Sequence, residues 1–475
     1  MKRKWILIEL LCLSLSAFLA VYIGFNVEQS GFELLWILPV TFACCFHVLL
    51  KCVLTSKNTL FYYVFIAAAM VRYVVGPFLH VYTGEYIDRY AKSIPASDTL
   101  TKAICLMAYE LLVCTVFLWF MMKREKKQEI RGGKMHVRHI IMPKRTWLYV
   151  LFVVVTGVMM VMFPDALMYF SFFTFSSLAS VDMLSTFGLM TQITIMLMIT
   201  AKYLVFIMVI GYLHKKYERA RTYKALIEFC AYIFALLCGV TYYGSNRIQF
   251  LINLICSIYI FFLLFSKNRK KYFLVSALCG VVVLLYMTEQ RGYGDNYYYE
   301  SGFKKTLFSL NQMIMEYLGG VDHVAIAIEM RDNYADYRSI GQLIRDFMVP
   351  VVGINKILGF HNGMIANNLF NFQFFAHTNN VTQILPSIGH GFFYLGFLLA
   401  PMVDVFQLWI VLRLIKIHNT KQQIELIFLI NIVIIRLGLM FGHNISQQMN
   451  GFSMQLMLPM IVYFFNRVLI LKKEG

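Results

Sequence analysis

The sequence predicts an all-α membrane protein, a polytopic bundle of about twelve transmembrane helices with one large extracytoplasmic loop bearing amphipathic helices. Three observations predict it. Hydrophobic residues fill 59% of the 475 positions and charged residues only 14%, where a soluble domain carries about 25% charged residues. The apolar residues gather in runs of about 20, the length that crosses a bilayer. Lysine and arginine concentrate in alternate short loops, as the positive-inside rule requires.

The runs fall at about 5–24, 32–54, 59–80, 100–122, 147–163, 186–212, 225–243, 248–266, 272–288, 391–415, 424–442 and 451–470. Hydrocarbon offers no hydrogen bonds to a bare backbone, so each run is expected to be a helix. The start, Met1–Lys4 followed by an apolar stretch, resembles a signal peptide. The stretch is long for one and lacks a small-x-small cleavage site, so it reads as an uncleaved first helix.

With the N-terminus in the cytoplasm, the inside segments hold 28 Lys and Arg, and the short outside loops hold only Arg89 and Lys92. Both termini are therefore expected inside. The chain divides into helices one to nine (1–288), an extracytoplasmic loop domain (289–390) and helices ten to twelve (391–475). In the loop domain, Phe303, Leu307, Leu310, Ile314, Tyr317 and Leu318 recur at helical spacing, and so do Ile340, Leu343, Ile344 and Phe347 before Pro350. These predict amphipathic helices that lie on the membrane or cap the bundle.

Composition also excludes. The net charge of +18 would suggest nucleic acid in a soluble protein, but here loop topology accounts for it. The ten cysteines lie in or beside apolar runs, and none has CxxC or Cys/His spacing, so neither a disulfide framework nor a structural metal is expected. No phosphate-binding glycine motif points to a nucleotide, and no cofactor is implied.

Arginine inside a span is costly and marks a wet cavity or a partner. Arg72, Arg247 and Arg436 all fall toward the expected outer halves of their spans. A cluster of guanidinium forks there would suit a pyrophosphate. The alternative is that each pairs with a buried carboxylate such as Glu9, Glu110 or Glu228, or snorkels to the headgroups. His377 ends the outer segment, where a general base is conceivable near neutral pH. Asn379 and Asn380 beside it could bond sugar hydroxyls. Gly389, Gly391 and Gly396 permit close helix packing. The stretches 291–302, with Arg291 and Tyr293, and 359–375 interleave aromatics with amides. Such stretches suit sugar rings, or an interfacial aromatic belt.

Together these features resemble the bacterial oligosaccharide repeat-unit polymerases, the O-antigen and capsule polymerases of the Wzy family, which are related to O-antigen ligases. The carriers are the span pattern, GSNR at 244–247, the His377 segment before a Gly-rich span, Arg436 in the penultimate span, and the Arg291–Gly302 spacing. His361 and His390 lie outside that match. The resemblance implies a GT-C-like bundle in the inner membrane. Its substrates would be glycans on undecaprenyl pyrophosphate, its surroundings membrane lipid, and its neighbours a chain-length regulator and a flippase. It implies His377, Arg247 and Arg436 as catalytic residues, with Arg72, Arg291, Tyr293, Asn379 and Asn380 binding substrate. Developing charge on the leaving pyrophosphate would be met by the arginines. An O-antigen ligase and a twelve-span flippase or other transporter stand as alternatives.

Overall fold

A computed structural model describes residues 2–56, 59–131, 140–143, 146–171, 188–243, 247–265, 269–289, 303–351, 354, 365–378 and 382–474. The described chain is helical apart from an isolated bridge at Ile141 and a two-residue antiparallel pair, in which Phe170 faces Tyr243 and Ser171 faces Tyr242. Among the described residues, six helices are long and apolar enough to cross a membrane: Trp5–Asn26, Ile37–Thr55, Leu60–Thr83, Ser97–Arg124, Leu189–Arg219 and Ile445–Leu469. The chain is thus a multi-pass membrane protein in its architecture. The first helix shows why water is the wrong solvent. Only 22% of its apolar window is buried, and Phe18, Val21 and Phe25 project outward. A stripe that wide needs lipid.

Two compact units emerge, each assembled from several stretches of the chain. One comprises Met1–His136, Tyr293–Lys416 and Arg436–Asn450. The other comprises Val137–Gly292, Ile417–Ile435 and Gly451–Gly475.

In the first unit, Ile37–Thr55 packs against Lys2–Asn26 and Ser97–Arg131. The expected amphipathic helices are present as Phe303–Leu318 and Ile340–Met348. The former buries Phe308, Ile314 and Met315 and packs against Gly76–Thr83. The latter leaves Ile340 and Ile344, one turn apart, exposed. Between them lies Val321–Asn333, a helix that the periodicity missed. Val324, Ala325, Ile326 and Ala327 are all buried, so every face is covered and no apolar stripe exists to be read. It packs on Ser97–Arg131 and Ser387–Leu399.

Two expected helices are interrupted, and a third break falls at the outer end of the expected span at 424–442. The first carries a π-helical turn at Val71–Val75 between Leu60–Met70 and Gly76–Thr83. Pro77 lacks an N–H and would clash with the carbonyl four residues back, and the widened turn relieves that conflict. The expected span at 391–415 is two helices, Ser387–Leu399 and Met402–Thr420, bent by 109°. Gly396 takes φ +74° inside the first, and Pro401 stands at the bend. The turn folds so tightly that a Cβ on Gly391 would stand 2.1 Å from the Ala400 carbonyl oxygen. The third interruption separates Ile424–Gly438 from Ile445–Phe452 by a 3-10 turn at Met440–Gly442.

Gly391→Ala is therefore expected to destabilise by at least the ~1–3 kcal/mol of ordinary overpacking, because the obstacle is backbone. Gly157→Ala, where nothing lies within 4 Å, should be neutral or stabilising. Thermal unfolding of the two purified variants in one detergent checks both.

In the second unit, Lys224–Val240 packs against Arg247–Leu264, and Leu189–Arg219 against Trp147–Met162. Its polar interior joins Tyr203 to Asn253 and Gln455 to Gln249, and Lys202 donates to the Thr241 carbonyl.

Candidate functional site

Some buried polar groups of the first unit stand at its helix interruptions. The π turn directs Arg72 and Tyr73 into the core. Arg72 Nη1 donates to Glu110 Oε2 at 2.8 Å and Nε donates to the Gly319 carbonyl at 3.1 Å. The Tyr73 hydroxyl donates to the same carboxylate oxygen at 2.9 Å. The guanidinium also lies 5.3 Å from the Phe441 ring centroid. The Arg72 and Glu110 side chains are 1% and 0% exposed. Arg72 is thus an ion-paired residue of the interior, the alternative that the sequence left open. Only its Nη2 lacks a hydrogen-bond partner among the described residues.

Arg436 sits in the last turn of Ile424–Gly438, buried, just before the 3-10 turn. Its charge faces His443, whose Nδ1 lies 3.3 Å from the Leu439 carbonyl. Arg72 and Arg436 therefore belong to one compact unit. Arg247 begins the Arg247–Leu264 helix of the other unit, and its side chain lies outside the described residues. Arg291, Tyr293, Asn379 and Asn380 also lie outside them.

His377 follows the Ala366–Phe374 helix and is exposed. Its backbone is left-handed, with φ +69°, and Ala376 before it has φ +48°. The His377 N–H donates to the Phe372 carbonyl at 2.7 Å, and the ring stands edge-on to Phe372. A non-glycine residue in this region is uncommon and carries some strain, which makes the position notable.

A more elaborate histidine site involves His390. Its Nε2 lies 3.0 Å from Asp346 Oδ2, to which the Tyr394 hydroxyl donates at 2.9 Å. The Ala366 N–H donates to both Asp346 oxygens. A carboxylate that fixes one ring nitrogen is how a base is oriented, although here every member except Tyr394 is fully buried. The signal was present in the sequence: His390 and Tyr394 stand one helical turn apart. Substitution of His390 would therefore disturb the Asp346 cluster as well.

The third cluster joins Asp88 in the 84–96 loop to Asp322 and His323 at the start of Val321–Asn333. His323 Nδ1 is 3.1 Å from Asp322 Oδ1, and Nε2 is 3.9 Å from Asp88 Oδ2. The Asp88 N–H donates to Asp322 Oδ2 at 2.8 Å. Burial alone would lower the His323 pKa, but the two carboxylates overcome it and raise the imidazole to about 9. Burial pushes Asp88 up to about 7, against the pull of His323. Asp322 is held below the usual carboxylate range by His323 despite its burial.

The sign of the pH effect follows. The folded His323 pKa lies above its ordinary 6.5, so its stabilisation is complete below 6.5 and lost as pH rises through about 9. Asp88, also raised, acts in the same direction as pH rises from about 4 to about 7. The melting midpoint in detergent should therefore fall as pH rises between 6.5 and 9, and His323→Gln should flatten that fall. A wild-type profile level over that window would refute the assignment.

Amides serve the backbone here. Asn371 and Asn367 bond the extended stretch before Ser387: Gln383 N–H donates to Asn371 Oδ1 at 2.8 Å and Leu385 N–H to Asn367 Oδ1 at 3.0 Å. Asn444 joins both Asn367 and the Leu385 carbonyl. Buried irregular backbone needs such partners. These asparagines of the 359–375 stretch thus face inward. A cleft of about 80 Å³ lined by Tyr82, Thr83, Lys304 and Phe308 also opens in this unit. Comparison of the chain with protein-family models, with curated proteins and with solved structures finds no match in any of the three.

Proposed function

We propose that the chain is a membrane glycosyltransferase that polymerises undecaprenyl-pyrophosphate-linked oligosaccharide repeats on the outer face of a bacterial inner membrane. The observation that carries the reading is the position of Arg436. It is a buried guanidinium at a helix break, in the compact unit that also holds the His377 segment. Such an arginine can stabilise charge that develops on a departing pyrophosphate. His377, Arg247 and Arg436 are assigned to catalysis, and Arg72, Arg291, Tyr293, Asn379 and Asn380 to the substrate's surroundings. The ion pair of Arg72 makes it a support for the site rather than a free clamp. Twelve spans with both termini in the cytoplasm fit this reading. Trp147–Met162, Lys224–Val240, Ile248–Leu264, Lys271–Tyr286 and Ile424–Gly438 would join the six long helices and the bent pair. A GT-C-like bundle is the corresponding fold.

Purified protein with synthetic lipid-linked repeat as its only substrate tests the activity. A ladder of products supports a polymerase. No product without lipid A core, and transfer with it, would make the enzyme a ligase. The His377 assignment has its own test. His377→Ala and His377→Gly should each lower turnover by about 10²–10⁴ if His377 is a base. Glycine accepts the left-handed backbone, so that variant should keep the wild-type melting midpoint. Undiminished turnover in both would transfer the role to another group.

A second reading has one observation in its favour. Interrupted helices that carry buried ionisable groups are how transporters build midplane sites. Movement of a lipid-linked saccharide across sealed vesicles, without growth in its length, would select that reading.

A further inference from the structure

Glu110 and Asp404 face each other inside the first unit, and both are fully buried. Asp404 lies in the first turn of Met402–Thr420, directly after the 109° bend. Ser387, at the start of the other arm of the bend, stands beside it. Gln407, one turn beyond Asp404, donates from Nε2 to Ser387 Oγ at 2.8 Å. This leaves the Ser387 hydroxyl proton free to turn toward the carboxyl.

The charges do not balance. Two carboxylates meet one guanidinium, that of Arg72, which is already bonded to Glu110. Tyr73 and Cys114 face the pair from the π turn and from Glu110's own helix, and Cys45 lies beyond Cys114 on Ile37–Thr55. None of these is a cation. The acceptors do not balance either. Glu110 Oε1, Gln407 Oε1 and the Asp404 oxygens are buried, and the Ser387 hydroxyl, which can serve one Asp404 oxygen, leaves the other three without a donor among the described residues. Gln407 is the independent sign, because a neutral amide has no reason of charge to present a bare oxygen there. A buried polar group left this way asks for a ligand, and an uncompensated buried charge asks for a cation.

We propose that Glu110, Asp404, Ser387 and Gln407 form a binding site for one monovalent cation, occupied by a proton held between the two carboxylates. A proton needs neither volume nor a path wide enough for an ion, and the Asp404 and Glu110 side chains are closed to solvent. Once bound, it converts one carboxylate into a donor that satisfies the other, and the site becomes neutral. The site joins both arms of the bend to the Ser97–Arg131 helix. Loss of the proton would put two like charges across that junction and favour its opening. The inference stands on these residues alone and does not depend on the polymerase reading.

Infrared spectroscopy of the purified protein in lipid nanodiscs tests it, with potassium as the only added cation. Wild type should show a protonated-carboxyl C=O band at neutral pH that is lost from the Asp404→Asn or Glu110→Gln spectrum. Replacing potassium by sodium should change neither the band nor the melting midpoint. If the two variants leave the carboxyl region unchanged, and sodium raises the midpoint of wild type but of neither variant, the site holds sodium; that supports the cation site and overturns the proton. An unchanged carboxyl region together with no sodium response overturns the proposal altogether. Two substitutions on different helices keep the test available if one variant does not accumulate.

Discussion

Arg436→Ala is expected to accumulate in the membrane and to lose about 10²–10³ in polymer-forming rate, the usual effect of removing a group that stabilises transition-state charge. Arg247→Ala should behave alike. Arg→Lys at either position should also be poor, because an ammonium lacks the two-pronged geometry that suits a pyrophosphate. The measurement is the rate of ladder growth per mole of folded protein, with folding checked by size exclusion. Normal polymer from both alanine variants would remove the leaving-group role. The placement of Arg436 makes it the stronger test. It stands in the last turn of a helix, beside a turn that already breaks the regular backbone, and alanine keeps the helical preference there.

Arg72 should behave in the opposite way. Its guanidinium is closed in with Glu110, Tyr73 and the Gly319 carbonyl. Breaking a buried pair by removing one member costs about 3–5 kcal/mol, because the other charge stays buried. Arg72→Met should therefore be lost from the membrane or melt far below wild type. Glu110→Leu should cost less, because Asp404 still faces the guanidinium. The double variant Arg72→Met/Glu110→Leu should recover much of the loss, since it leaves no unpaired partner of the ion pair. Midpoints measured on the four proteins in one detergent decide this. Equal and small effects of the two single substitutions would mean that the pair is solvated. A full-length protein with Arg72→Met that is stable but inactive would return Arg72 to the substrate.

What could be read without coordinates was whatever depends on local chemistry. Long apolar runs announce membrane helices because lipid leaves the backbone no other solution. The spacing of Leu307, Leu310 and Ile314, and of Ile340 and Ile344, announces helices with one apolar face. The Val321–Asn333 helix escaped because total burial erases the stripe on which such a reading relies. The interruptions were only half legible. Pro77, Pro401 and Gly396 are visible as helix breakers, but a 109° bend depends on Ala400 coming back against Gly391.

The same division holds for the site. An arginine in a span must have a reason, and sequence alone selected Arg72, Arg247 and Arg436. Whether such an arginine faces a ligand or a carboxylate depends on which helices are neighbours. Arg72 and Glu110 are 38 positions apart, and Gly319 is 247 from Arg72. Asp404 attracted no notice and His390 was set aside, because an acid at a helix start and a histidine near a polar loop are ordinary in sequence. Their burial against Glu110 and Asp346 is what makes them unusual. The order of residues alone carries the solvent, the long or one-faced helices and the types of residue present. The tertiary structure decided the partners, because the energy of a buried charge is set by what stands within a few ångströms of it, and that distance is not written along the chain.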